Sequence, residues 1–296
     1  MTMRNLLFYI CFLTACFACG AKEIIIMPQF AVGDTLRYRA TTSLVMYHEK
    51  DSLVSTTKLL PTLIVDEKND KGFIITTSNR LEDFSIECSD PAAGETLESF
   101  DKSDILNDVV AAITLRIQLG TDCQPDSILN LEAVKERITD AYINMFAKQQ
   151  GIDESNREEW EKETIPLLIG TVNMMYTPKH LIEQQFGNLP YFNFIGIPLK
   201  SGKIPASMVL PEELQMICPG LTELKMNVRQ FESDMESSLE KSDGLYHIKL
   251  SGKKGTAHID GELLYAAGIL TNGFLSFRNE SDTEKLISNY MIEIIR

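Results

Sequence analysis

Positive charge is scarce in this chain of 296 residues: 28 Lys and Arg stand against 42 Asp and Glu, a formal net charge of −14. A surface of that sign repels phosphate, which excludes sequence-independent nucleic-acid binding. It also disfavours docking of the folded domain on an anionic lipid face. The common catalytic signatures are missing as well, with no G-x-S-x-G elbow and no H-E-x-x-H. The 4 histidines, His48, His180, His247 and His258, are scattered. His180 with Glu183 and His258 with Asp260 form only isolated pairs, whereas a metal site needs three or four converging ligands. No metal or cofactor is expected. Past residue 21 the cysteines are Cys88, Cys123 and Cys218, at spacings of 35 and 95 residues, which rules out a local zinc knuckle. An odd number in an oxidising compartment predicts one disulfide plus a buried thiol.

What is present begins with a secretory signal over residues 1–21. Arg4 is its positive start, Leu6 to Leu13 its apolar core, and small residues follow. That core is too short to anchor the chain across a bilayer. Leu13-Thr14-Ala15-Cys16 has the form of a bacterial lipobox, which makes Cys16 the lipidation site, with Cys19 the alternative. A cut after Ala21 gives instead a soluble periplasmic protein. The expected location is therefore the outer membrane, through a lipid anchor only, facing periplasm or cell surface.

Gly33-Asp34 is a turn signal, and from Leu36 the chain alternates, with Leu36, Tyr38 and Ala40 on one side and Arg37, Arg39 and Thr41 on the other. Period two predicts a strand with one buried face. A first β-meander with a short helix from Ser103 or Asp104 to Ile113 occupies residues 30–131, and Pro61 marks an edge. A helical insertion follows over 132–188. Asn130 and Gly151 bracket its first helix, and Ser155 with Glu158 forms a capping box for the second. Pro166 kinks or ends that helix, and Thr177-Pro178 starts a third. Residues 189–296 return to a second meander completing the same domain. In it Thr271-Asn272-Gly273 is the strongest hairpin signal, and Ser251 to Gly255 marks a second turn. The predicted class is α+β: a bent antiparallel β-sheet or open half-barrel with a helical insertion.

Two stretches are candidates for function. Pro190 to Pro198 is aromatic and apolar. It reads as a core strand, or else Tyr191, Phe192 and Phe194 form a lip on a groove that Met174 and Met175 help to line. The acidic run from Asp153 to Glu163 around Trp160 reads as a solvated helix face with a charge that suits the helix N-terminus. Gly252-Lys253-Lys254-Gly255-Thr256 lacks phosphate-loop spacing and reads as a basic hairpin tip. No catalytic residue is assigned.

The lipobox-like Leu13 to Cys16, the strand start Gly33-Asp34-x-x-x-Tyr38, Gly72-Phe73, Phe186-Gly-Asn-Leu189-Pro190 and Gly268-Ile269-Leu270 resemble uncharacterised cell-envelope lipoproteins of Bacteroidota-type bacteria. The resemblance implies a curved antiparallel sheet and carries over no catalytic residue. The helical block is larger than it implies. Three functions follow as expectations. The first is a non-enzymatic envelope lipoprotein binding a protein partner or a hydrophobic small molecule in the concavity of the sheet. The second is a structural or assembly component of the outer membrane acting through the acidic helical block. The third is a hydrolase with unrecognised carboxylates.

Overall fold

The sheet grows outward from Thr35–His48 (β2), which follows the two-residue β1, Ile24–Ile25. A computed structural model describes residues 23–48, 51–89, 103–205, 208–209, 213–216, 224–227, 235–281 and 284–295. The signal segment, Cys16, Cys19 and Cys218 lie outside these residues. The turn before β2 forms as its sequence predicts. Gly33 has φ 94°, and the Asp34 carboxylate accepts the Ala31 N–H at 2.7 Å. Tyr38, Ala40, Leu44 and Met46 then line the buried face of β2.

One edge of β2 pairs with Glu284–Ile295 (β17) from Arg37 to His48. The other edge meets Asp51–Leu59 (β3) and Thr62–Asn69 (β4) in one continuing register, Ala40 opposite Leu59 and Arg37 opposite Thr62. These strands are a single path of chain interrupted at Leu60-Pro61. Gly72–Ser78 (β5) and Leu81–Cys88 (β6) repeat the arrangement one place further out, β5 on β4 and β6 on β3, interrupted at Asn79-Arg80. The interruptions lie side by side: Tyr38 N–H donates to Pro61 O and Leu60 N–H to Arg80 O, both at 2.8 Å. They form a seam across neighbouring strands. Pro61 therefore sits between two neighbours rather than at an edge, where its missing N–H costs little because the ladder is already broken.

Beyond β5 come Leu115–Leu119 (β7) and Pro125–Ile128 (β8). Beyond β17 come Ile269–Glu280 (β16), Ala257–Ala266 (β15), Leu245–Lys254 (β14), Met235–Ser242 (β13) and Gly202–Lys203 (β10). All pairs in this 13-stranded sheet are antiparallel, and β8 and β10 end it without pairing to each other. The sheet is open, and the class is α+β. Pro198–Leu199 (β9) pairs with β1, and Glu213–Met216 (β11) with Leu224–Asn227 (β12).

Two turns fall elsewhere than the sequence predicts. β16 runs straight through Asn272-Gly273, and the hairpin turns at Ala267-Gly268, with φ 49° and 79°. A Cβ at Gly273 would lie 3.0 Å from Ile292 Cγ2 and 3.1 Å from Leu263 Cδ2. That glycine makes room for packing and makes no turn. Likewise β14 continues through Lys253-Lys254 and turns at Gly255-Thr256. The polar β13 has no apolar alternation to announce it.

The helices are Ser103–Ala112 (α1), Leu131–Gln150 (α2), Glu154–Met175 (α3) and Pro178–Gln184 (α4). Asn130 stands at the α2 cap position but spends its side chain on β7, accepting from Arg116 N–H at 2.8 Å and donating to Thr114 O at 3.0 Å. Gly151 closes α2 at φ 63°. The capping box is not formed, since Asp153 occupies the α3 cap position and Ser155 lies inside the first turn. Helix α3 passes through Pro166 without ending. Thr177 caps α4 by accepting the His180 N–H at 3.3 Å.

The chain from Phe186 to Ile197 packs on the buried face of the sheet against β2 and β15. It forms turns rather than the expected core strand, touching a strand ladder only where Ile195 bridges Ile26. Phe186 stacks on Tyr191 at 4.1 Å between centroids, and Tyr38 meets both rings edge-on. The Tyr38 and Tyr191 hydroxyls share a hydrogen bond of 2.9 Å, and Tyr265 donates to Tyr191 O at 3.5 Å. Gln124 donates to Phe192 O at 2.7 Å and also to Ile195 O. At Gly187 a Cβ would approach Ala40 Cβ to 3.0 Å. The aromatic segment is thus pinned to β2, β15 and the β7–β8 turn. Cys88 and Cys123 are free thiols, one half-buried and one buried, so the predicted disulfide does not join them. Cys123 sits in the tight turn after β7, and Cys88 ends β6.

Two outcomes follow. Gly244 has φ 80° with open space around it, while at Gly268 a Cβ would lie 2.1 Å from Met27 O. Thermal unfolding should show Gly244→Ala destabilised by about 1 kcal/mol, the left-handed strain alone, and Gly268→Ala by at least about twice that because a backbone clash adds to it. Urea titration of Tyr191→Phe should show a loss of about 1–3 kcal/mol, since the Tyr38 hydroxyl is left buried and unpaired. The double variant Tyr38→Phe/Tyr191→Phe should lose less than the sum of the singles. Strict additivity would mean the pair is not coupled.

A candidate binding face on the helical hairpin

The residues singled out in sequence separate into two environments. Tyr191 is 2% exposed, and Phe192 and Phe194 are equally buried. They are packed in the core, and Tyr191 and Phe192 also border a hollow beside α4 and the β7–β8 turn. Met174 is 73% exposed and Met175 is also exposed, both on the last turn of α3. Of three hollows among the described residues, the one that Tyr191 and Phe192 line is not lined by Met174 or Met175.

The methionines belong to a feature of α3 itself. From Pro166 to Met175 the helix carries no charged residue, and of these residues only Val172 is buried. Leu167 is 73% exposed, and Ile169 is exposed as well. Helical spacing places Leu167, Thr171 and Met174 on one face and Ile165, Ile169 and Val172 on another. The second face borders a hollow of about 420 Å³ between α3 and α2, lined also by Glu132, Glu136, Thr139, Asp140 and Ile143. Lys135 on α2 and Asn173 on α3 also line it, and Lys135 donates to Asn173 Oδ1 at 2.9 Å.

The first half of α3 differs. Its acids are partly neutralised locally, Glu161 by Arg157 at 2.6 Å and Glu158 by Lys162 at 2.7 Å. Arg157 also donates to Asn144 on α2, and Trp160 donates to Gln150 at 3.1 Å, which holds the hairpin together. The acidic run thus reads as the solvated face its sequence suggested.

Two further hollows of about 260 Å³ flank the helices. One lies between the β7–β8 turn, α4 and the outer side of Leu189 to Asn193. The other lies over the seam, under α1 and Tyr176. Among the described residues no group of three or more His, Cys, Asp or Glu gathers as metal ligands, and no Asp or Glu is buried. No helix among them is long and apolar enough to cross a membrane. The signal that points to the α3 face is the unbroken uncharged run after Pro166, not its methionines.

No protein-family model and no curated protein sequence is similar to the chain. Among solved structures, an outer membrane channel from Pseudomonas putida F1 aligns with 90% of this chain and 97% of its own, at 9% identity and a TM-score of 0.22. A likeness that slight fixes neither fold nor function.

Burial drives the strongest proton shifts. Tyr38, Tyr176, Tyr191, Tyr265 and Tyr290 are all held above the ordinary tyrosine range, first by desolvation, and Tyr38 further by Tyr191. An acid with its folded-state pKa above the unfolded value of about 10 contributes stability below that pH and loses it as pH rises further. Tyrosinate absorbance should therefore show these five tyrosines ionising only together with loss of the circular-dichroism signal. Their smooth titration in folded protein would contradict the buried arrangement.

Proposed function

We propose that the protein is a non-enzymatic cell-envelope lipoprotein, tethered through Cys16, that binds a protein partner through the α2–α3 hairpin. The observation that carries this reading is the uncharged half of α3 from Pro166 to Met175, held in helix with Val172 alone buried. Leu167, Ile169, Met174 and Met175 are exposed on it, and exposed apolar surface gathered on one element marks a docking site. An apolar ligand in the concavity of a curved half-barrel has less support, because the aromatic segment is packed against β2 and β15 on the buried face of the sheet. The outer-membrane assembly role converges on the same hairpin. A hydrolase has less support, since no carboxylate among the described residues is buried, and burial is one way in which the pKa of a general acid is raised.

The test is site-specific photo-crosslinking in cells. A crosslinker at Leu167 or Met174 should capture one envelope protein, while the same group at Glu240 on β13 captures none. Leu167→Ser/Met174→Ser should abolish the capture without altering the circular-dichroism spectrum. Equal, diffuse labelling from all three positions would remove the docking face. Cys16→Ser should release the protein from the membrane fraction, and its retention there would remove the tether.

A further inference from the structure

We infer that the groove between α2 and α3 takes a cationic amphipathic helix of the partner, an apolar ridge flanked by Lys or Arg. This rests on the reading of the hairpin as a docking surface and names the chemistry that fits it. The floor of the groove is apolar, built from Ile143 on α2 and Ile165, Ile169 and Val172 on α3. Its α2 wall carries Glu132, Glu136 and Asp140, all exposed, at intervals of four residues on one face of the helix. Among the described residues none of these three takes part in an ion pair. The acids of the first half of α3 contrast with them, since Glu158 and Glu161 have Lys162 and Arg157. Lys135, the cation of the groove, is committed to Asn173. The acidic row is about 12 Å long at 1.5 Å per residue, two turns of a helix lying alongside it. An amphipathic helix with apolar residues at three and four places fills such a groove, and flanking cations meet the row. The same row repels an anionic lipid face, which favours a protein segment over a membrane.

The probes are two synthetic 18-residue helices with Leu at positions spaced by three and four, the rest Lys in one and Glu in the other. Fluorescence anisotropy should show the Leu/Lys helix binding the full chain and the Leu/Glu helix binding at least roughly tenfold more weakly. Glu132→Gln/Glu136→Gln/Asp140→Asn should weaken the Leu/Lys helix by at least roughly tenfold, and the control Glu236→Gln/Glu240→Gln/Asp260→Asn, the same charge change on β13 and β15, by less than about threefold. Circular dichroism checks that both variants fold. Equal losses from both sets would show net-charge attraction alone and overturn the inference. No binding of either helix, with the Leu167 and Met174 crosslinks intact, overturns the inference and leaves the partner reading standing. Loss of both overturns both. Binding of phosphatidylglycerol vesicles with no helix binding would make the occupant a membrane and overturn it too.

Discussion

The wide antiparallel sheet has one face that must leave water, and a single turn-rich segment does much of the covering. Phe186 to Ile197 lies on that face as a wedge of stacked rings, held by hydroxyl and carbonyl contacts as well as by packing. The Tyr38–Tyr191 bond at 2.9 Å ties it to the strand at the centre of the sheet. Gln124 fixes its far end by satisfying carbonyls that a strand ladder would otherwise serve. This is how a non-strand segment can be buried at all: each buried carbonyl needs a donor, and side chains provide it where no neighbouring strand does. With the wedge seated, Phe186, Tyr191, Phe194 and Ile195 belong to one buried core with Tyr38 and Tyr265 of the sheet.

Much of the architecture was legible where pattern and physics coincide. Period-two alternation marked β2, Gly151 marked the end of α2, and Thr177-Pro178 marked α4, because each signal is local. The failures came where a residue answered to a distant neighbour. Asn272-Gly273 has turn chemistry, yet Gly273 is there to admit Ile292 and Leu263 from flanking strands. Ala267 takes a positive φ that its side chain disfavours. Asn130 has cap chemistry but serves β7. Pro61 looked like an edge and fell in the seam. The aromatic run was rightly read as core and wrongly as strand, since apolar content reports burial and not backbone form.

For the binding face, composition was the better guide. The methionines drew notice as adaptable pocket lining, but on α3 they are two members of a longer uncharged run. What sequence could not show is that this run stays largely uncovered while the wedge, equally apolar, is buried. That difference is set by tertiary packing alone. It also separates two kinds of apolar stretch within one chain, one that makes the core and one left over after the core is made.

The pairing of β2 with β17 bears on how such a chain is handled before it folds. Arg39 and Glu293, 254 positions apart, meet at 3.2 Å across this ladder. The strand at the centre of the sheet thus gains its second neighbour only when nearly the whole chain is at hand. Contacts of such sequence separation form slowly, because loop closure must precede any gain. A polypeptide emerging from the ribosome would hold β2 with one side open until β17 arrives. Delay of this kind lengthens the time for which the chain stays unfolded.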